Sequence, residues 1–271
     1  MPCTAAASSP WSVPGSGRSG WAIRPCSTRP SCGDEQSWRL TSLTNDGLVG
    51  FRRGGGVHGT RPVPDLATAL PTPTDGGLTY AFHLRKGVRY STGEPVLAGD
   101  VRRGIERAVV HPDQVPTYYA TAIVGAQACW NAAKKAEAAK QRRPDCDLSE
   151  GITTDDRTGA VTFHLTKPTP EFMYQLALPY ASAVPQGTPL DPAPGAFPPA
   201  TGPYMIRSYT PKQDATGGRP ARHGKLELVR NPHFQVWSPA AQPDGNPDRI
   251  VLETGYTQKQ AVARVSATVS A

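Results

Sequence analysis

Glycine-rich turns are the first feature of the sequence that could do chemistry. Two segments, residues 15–20 and 54–59, match the GxGxxG pattern of dinucleotide-binding turns. Such a site requires a strand before the glycines and a helix after them, so that the helix amino terminus faces the pyrophosphate. Pro25 follows the first match closely, and Pro62 and Pro64 follow the second, so neither segment can open a helix of useful length. We therefore predict no cofactor.

Histidine, serine and acidic residues form no recognisable catalytic or metal-binding pattern. The six histidines include no HExxH sequence, and His83 and His164 each lie on the polar face of an F-H-L segment, which is typical of solvated strand residues. No GxSxG nucleophile turn is present. The acidic clusters at 155–156 and 244–248 accompany Gly or Pro, as in Asx turns. The sequence thus predicts a protein that is not an enzyme and holds no metal. A hydrolase remains the open alternative, because a catalytic triad can be formed by residues that are distant in sequence.

Composition and charge argue against two further classes of function. The 271 residues carry a formal net charge of +7 and have a mean hydropathy of −0.43. The sequence contains no run of 18 apolar residues, the length that spanning a membrane as a helix requires. Lys and Arg are scattered without a basic stripe, so we predict no nucleic-acid binding. Residues 1–36 are rich in Ser, Pro, Gly and Arg, show no periodicity and lack the apolar core of a signal peptide. We predict that this segment is disordered.

Hydrophobic periodicity beyond residue 36 predicts a loop-rich mixed α/β (α+β) protein. Apolar residues alternate strictly along 78–84, which indicates a half-buried strand. Residues 95–110 carry apolar side chains at helical spacing, with Asp100 near the start of the predicted helix. The segment 152–165 predicts two strands around a turn. Further strands are predicted at 201–212, 225–234 and 248–256, before a final helix.

Two cysteines, Cys129 and Cys146, flank a polar, Lys-rich insertion in the periodic part of the chain. In an exported protein they would form a disulfide that closes this insertion and stabilises the fold by about 3 kcal/mol. In a cytosolic chain they would remain two unpaired thiols. We favour the disulfide, because the insertion has no other visible support.

Four segments, in this order, resemble the solute-binding proteins of ABC transporters, specifically the dipeptide/oligopeptide-binding class. They are LTNDGLVGF (43–51), LTYAFHLRKGVRYSTGEPVLAGDVRRGIERAV (78–109), VTFHLTKPTPEFMYQLAL (161–178), and TGPYMIRSYTPK with KLELVRNPHFQVW (201–212 and 225–237). A composite of four ordered motifs is much more specific than any one of them alone.

The resemblance implies one lobe of a periplasmic-binding-protein type II-like fold, with a mixed sheet and flanking helices. Members of the class have two lobes that close on a ligand by a hinge motion. The resemblance leaves 1–36 unmatched and places the first lobe at 37–257, with a subdomain at about 60–170. The start of a second lobe falls at 258–271, so the chain looks truncated to the first lobe.

The same resemblance implies a non-catalytic substrate-binding component for peptides or similar small solutes. We expect an extracytoplasmic monomer, periplasmic or at the cell surface, that works with ABC permease subunits. Its binding is expected to be weak or lost because one lobe is missing. A ligand-sensing module of a larger regulatory protein is the alternative. The ligand-binding residues suggested by position are Asn45, Asp46, Tyr118, Tyr119, Tyr204 and Tyr256, with ordinary packing as the alternative for each tyrosine.

Overall fold

The chain folds into short helices and strands joined by many turns. The computed structural model describes residues 35–112, 117–191, 196–212, 223–254, 256 and 258–269, so the segment predicted to be disordered lies almost entirely outside the described residues. The α-helices are α1 (Glu35–Thr44), α2 (Ala98–Val109), α3 (Tyr118–Ala122), α4 (Ala126–Ala138), α5 (Phe172–Leu176) and α6 (Gln258–Val269). Within the described ranges, no helix combines the length and the apolar character that crossing a bilayer requires.

The strands form three small antiparallel sheets in the described part of the chain. They are β1 (Val49–Phe51), β2 (Pro62–Pro64), β3 (Thr79–His83), β4 (Ile152–Asp155), β5 (Ala160–His164), β6 (Tyr204–Lys212), β7 (His223–Arg230) and β8 (Arg249–Thr254). The strand orders are β1-β2, β3-β5-β4 and β6-β7-β8. The mixed α/β class is confirmed. Its described strands pair only antiparallel, rather than within one mixed sheet. The tight turn between β4 and β5 permits no parallel pairing of these two strands, because parallel neighbours need a long crossover.

The central sheet carries the main core. The alternation at 78–84 predicted a half-buried strand, and β3 buries Tyr80 and Phe82 while Ala81 and His83 are exposed. In the ladder Tyr80 lies opposite Phe163 and Phe82 lies opposite Val161. The rings of Phe82 and Phe163 meet edge to face at 5.8 Å. Cross-strand aromatic pairs of this kind fix the register of the sheet.

The start of α2 is held by the carboxylate of Asp100. One oxygen, Oδ2, accepts a hydrogen bond from the backbone N–H of Leu97 at 2.9 Å and another from the hydroxyl of Tyr90 at 3.0 Å. The other, Oδ1, accepts from the N–H of Gln186 at 2.9 Å. Asp100 is the third residue of α2, and its bond to the N–H of Leu97 at the N-cap position is the contact that an N3 side chain makes in a capping box. Tyr90 and Leu97, which precede α2, are thus tied to the helix by one of its own side chains.

A disulfide joins α4 to the segment that follows it. Cys129 in α4 is bonded to Cys146, and their Cα atoms lie 5.4 Å apart. Trp130 and Ala133, on the same helix, are buried in the main core. The bond closes the polar insertion onto a helix that is already anchored by packing.

Candidate ligand-binding site

A cavity of about 430 Å³ lies between α1, β1 and the turn at 177–182. Its apolar wall consists of Trp38, Val49, Phe51, Ala177, Leu178, Pro179 and Ala241. Its polar lining consists of Arg39, Ser42, Asn45, Asp46, Arg52, Arg53, Asp65, Ser182 and Gln242. Aromatic and apolar surface with a few charged groups, in a volume of this size, is the composition of a site for an organic solute.

The turn between α1 and β1 forms the inner end of this cavity. Leu40 of α1 points into a buried cluster, whereas Trp38 is 37% exposed and packs edge-on against Tyr180 at 5.9 Å. After α1 the chain passes close to the backbone of the 177–182 turn. A Cβ atom at Gly47 would lie 3.0 Å from the carbonyl oxygen of Ala181, so glycine allows this close approach.

Asp46 lies at the floor of the cavity and is only 3% exposed. Its Oδ1 accepts a hydrogen bond from Nε2 of Gln242 at 2.6 Å, and its N–H donates to Oγ1 of Thr201 at 2.8 Å. Its Oδ2 is buried without a hydrogen-bond partner among the described residues. Burial raises the pKa of Asp46 from 3.8 to about 6, although the side chains of Thr201 and Gln242 and the charge of Arg53 act to lower it.

Asp65 contributes a second buried carboxyl to the same floor. Its Oδ1 accepts a hydrogen bond from Nε1 of Trp237 at 3.3 Å. Burial, and then the negative charge of Asp46, raise the pKa of Asp65 well above its usual range despite Trp237, Arg53 and Arg85 nearby. The pair therefore holds a proton more readily than isolated carboxyls, and its protonated member can donate a hydrogen bond. Across the ranges that the structure describes, no group of three or more His, Cys, Asp or Glu side chains could hold a metal ion.

Arg53 clamps the elements around the two acids. Its Nε donates to the carbonyl of Ala241 at 3.0 Å, and its Nη2 donates to the carbonyl of Ser42 at 2.7 Å. The guanidinium thus donates hydrogen bonds to neutral carbonyl groups, while its positive charge acts to lower the pKa of Asp46 and of Asp65. Because these carbonyls belong to distant parts of the chain, the clamp fixes the shape of the cavity.

Asn45 and Asp46, two of the predicted ligand-binding residues, are brought together at this cavity. Nδ2 of Asn45 donates to the carbonyl of Pro199 at 3.1 Å, and its Oδ1 accepts from Oγ1 of Thr44 at 2.8 Å. Asn45 is half-buried and held in place from both ends of its amide. It therefore offers a rigid polar edge rather than a free side chain.

Tyr118 and Tyr119 lie at α3, outside the lining of this cavity. Their rings meet edge to face at 4.5 Å, and the Tyr119 hydroxyl donates to the carbonyl of Gln175 at 2.6 Å. Burial raises the pKa of both hydroxyls, so both stay protonated at neutral pH. The arrangement joins α3 to α5.

Tyr204 and Tyr256 also lie outside the cavity lining. Tyr204 is 1% exposed, its hydroxyl donates to the carbonyl of Pro247 at 2.8 Å, and the guanidinium carbon of Arg230 lies 5.5 Å from its ring centre. Tyr256 is half-buried, and its hydroxyl donates to Oε2 of Glu253 at 3.3 Å. The structure thus places the six predicted residues in separate regions, with two of them at the cavity.

Sequence reasoning missed several residues that line the cavity. Neither Asp65 nor Gln242 belongs to a sequence motif that would mark it as a site residue. Gln242 lies 196 positions from Asp46, whose carboxylate it binds, so no local pattern links the two. Trp38 was not singled out either, and only the structure shows that this partly exposed side chain forms part of the cavity wall.

The architecture is similar to that of solved oligopeptide-binding proteins. The structure of clavulanic acid biosynthesis oligopeptide binding protein 2 matches with a TM-score of 0.66 and 25% identity, over 91% of this chain and 40% of that chain. Listeria monocytogenes OppA bound to peptide matches at 0.63 and 18% identity, over 91% and 43%. The Escherichia coli murein tripeptide binding protein MppA matches at 0.62 and 19%, over 91% and 43%. The fold is that of part of a solute-binding protein, and the chain spans about 40% of these structures' length.

The sequence assigns the family. The family model described as bacterial extracellular solute-binding proteins, family 5 Middle, matches residues 61–268. Since the match covers most of the chain, the protein belongs to this family of extracytoplasmic solute-binding proteins of ABC transporters. The resemblance read from the four segments is therefore confirmed.

Curated relatives are much longer than this chain. Protein XP55 of Streptomyces lividans is 29% identical over 182 residues, which is 66% of this chain and 26% of the relative. The probable deoxycholate-binding periplasmic protein YgiS of Escherichia coli (strain K12) is 39% identical over 115 residues, which is 41% of this chain and 19% of the relative. The chain thus spans about a quarter or less of the length of these relatives.

Proposed function

We propose that this chain acts, without catalysis, in the capture of peptides or similar small solutes for an ABC uptake system. The observation that carries this proposal is the family match over residues 61–268. The titles of the similar structures, which name oligopeptide- and murein-tripeptide-binding proteins, support peptides as the class of solute. The expected setting is extracytoplasmic, with ABC permease subunits as partners and the binding protein as a monomer.

The cavity around Asn45 and Asp46 is the part of the chain that best suits contact with solute. Its apolar wall can cover a side chain, while the fixed amide and the buried carboxyl can bind polar groups. The ligand-contacting roles of Tyr118, Tyr119 and Tyr204 stay predictions, as does that of Tyr256. Each of these tyrosines has a ring or hydroxyl contact that ordinary packing explains.

We expect the chain by itself to bind solute weakly. Members of this class enclose a ligand between two lobes, and the chain spans about 40% of the solved structures. Burial of only one side of a ligand leaves the other side in water, while the loss of translational and rotational freedom is nearly unchanged. The net affinity therefore falls steeply when one side of the contact is removed.

Thermal unfolding in the presence of alanine di- to pentapeptides tests this proposal. For a weak ligand at about 10 mM we expect a concentration-dependent rise in Tm of roughly 2–4 °C. The variant Asn45→Ala should lose most of that rise relative to its own ligand-free Tm. The matched variant Asn246→Ala, at an exposed position outside the cavity, should keep it. A folded chain whose Tm no peptide changes would contradict the proposal.

A further inference from the structure

The loop that joins β1 to β2 concentrates positive charge. We call residues 52–61 the basic hairpin. It contains Arg52, Arg53, His58 and Arg61 and no acidic residue. The β1–β2 ladder ends with Phe51 opposite Pro62, and the N–H of Arg52 donates to the carbonyl of Arg61 at 3.0 Å. The ladder therefore holds Arg52 and Arg61 side by side at the base of the loop.

These basic residues line a hollow rather than spreading over a convex surface. The four basic residues, with Gly54, Gly55, Pro62 and Val63, surround a space of about 670 Å³, and no acidic residue belongs to this lining. Arg52, His58 and Arg61 are exposed, and their side chains form no ion pair or hydrogen bond within the described residues. Clustered cations repel one another, and no acidic side chain of this lining offsets the charges of Arg52 and Arg61.

The basic hairpin is also held in one compact shape. The guanidinium of Arg53 is fastened to the carbonyls of Ser42 and Ala241. Gly59 packs so tightly that a Cβ atom there would lie 2.4 Å from the carbonyl oxygen of Gly54. A Cβ atom at Gly55 or Gly56 would meet nothing within 4 Å, so the loop is open to solvent on that side. The loop can therefore present its side chains to an anion without a large loss of loop entropy.

We propose that the basic hairpin binds a phosphate group, with Arg52 and Arg61 as its principal donors. The planar guanidinium matches two phosphate oxygens at once, and two adjacent guanidinium groups suit a doubly charged anion. The bound anion would also relieve the repulsion among the clustered cations. The hollow shares Arg52, Arg53 and Gly54 with the lining of the cavity, so the two sites adjoin, although none of the buried acids of the cavity takes part. The proposal does not depend on solute capture, because phosphate binding is measured directly, whether or not the cavity takes a solute. A free phosphate ester and the headgroup of an anionic phospholipid present this same group.

The test compares two double variants that change the net charge equally. In Arg52→Ser/Arg61→Ser the proposed donors are removed, and in Lys86→Ser/Arg142→Ser two exposed cations elsewhere are removed. Inorganic phosphate is titrated into the ¹⁵N-labelled full chain and followed by amide chemical shifts. We expect shifts centred on residues 52–61, and an affinity lower by about five-fold for each arginine removed, on the scale of one surface cation near an anionic phosphate layer.

Vesicles distinguish the two sources of the phosphate group. The protein is co-sedimented with phosphatidylglycerol–phosphatidylcholine vesicles at low salt. Vesicle binding that is lost in Arg52→Ser/Arg61→Ser and kept in the control pair supports the site, with a lipid headgroup as its ligand. Binding of inorganic phosphate alone, with the same dependence on the variants, supports the site with a small solute as ligand.

Two results would overturn the proposal. One is the absence of both phosphate and vesicle binding by the folded protein. The other is an equal loss in the two double variants, since the effect would then follow net charge rather than the geometry of the basic hairpin. Unfolding curves of both variants, expected to resemble that of the parent chain because all four positions are exposed, establish that each variant is folded.

Discussion

The carboxyl group of Asp46 is buried, although a charged carboxylate is more stable in water. Its Oδ1 is bound by Gln242, whereas Oδ2 has no hydrogen-bond partner in the part of the chain that the structure describes. Its pKa is about 6 in the folded protein, against an ordinary value of 3.8. An acid whose pKa is raised by folding binds its proton more tightly in the folded state. Its ionisation therefore destabilises the fold above pH 6, and this effect disappears below pH 3.8.

Replacement of Asp46 by Asn should stabilise the protein more at pH 7.5 than at pH 4.5. The amide keeps an oxygen for Gln242 and carries no charge. Each unit of pKa shift corresponds to about 1.4 kcal/mol, so the removed destabilisation amounts to about 3 kcal/mol at pH 7.5. Urea unfolding of the two proteins at both pH values measures the difference.

The matched control for that experiment is Asp248→Asn, at an exposed acidic position outside the cavity. Its effect on the free energy of unfolding should stay within about 0.5 kcal/mol at either pH. A difference between Asp46→Asn and the parent chain that does not change with pH would show that the folded protein does not oppose ionisation of Asp46.

Helix α2 illustrates, at the scale of an element, how packing overrides helix propensity. Glycine inside a helix is less favourable than alanine by roughly 1 kcal/mol. Yet α2 carries Gly104 at a point where a Cβ atom would lie 2.1 Å from the carbonyl oxygen of Ser182 and 3.7 Å from the Cα of Ala183. The missing side chain lets α2 pack directly on the backbone of the turn that also borders the cavity.

The variant Gly104→Ala should therefore destabilise the fold despite its better helix propensity. The helix and the turn must separate, which by comparison with overpacked cores lowers the free energy of unfolding by roughly 1–3 kcal/mol. Chemical denaturation provides the measurement. Gly187→Ala, where a Cβ atom meets nothing within 4 Å, should change the stability by less than about 0.5 kcal/mol. A Gly104→Ala protein at least as stable as its parent would contradict the close contact.

Elements were predictable from the sequence where their signal is local. The alternation of Tyr80 and Phe82 defines β3, and that of Val161 and Phe163 defines β5, because a strand repeats every two residues. The pairing of strands into three sheets left no such signal. Nor did the meeting of Asp46 with Gln242, since it depends on how residues 196 positions apart pack. Asn45 and Asp46 could be suggested as site residues only because their segment resembles a known family.

At the scale of the whole molecule, the described residues contain two hydrophobic clusters of unequal size. The larger one surrounds the β3-β5-β4 sheet and includes α2, α3, α4 and α5. The smaller one consists of Leu40, Tyr204, Leu226 and Leu228, with partly buried neighbours on β6, β8 and α1. Since stability follows the apolar area removed from water, the two sheets should differ in how readily they open.

Native-state hydrogen exchange should detect this difference. We expect amides of β7, although central in its sheet, to exchange faster than those of β5. Leu228→Ala, which truncates a fully buried residue of the smaller cluster, should accelerate exchange in β6, β7 and β8 and leave β3 and β5 nearly unchanged. Phe163→Ala, in the larger cluster, should accelerate exchange in both sheets, because the smaller cluster is too limited to persist without the larger one. Equal protection of β5 and β7, and an equal response of both sheets to Leu228→Ala, would mean instead that the described chain opens as a single cooperative unit.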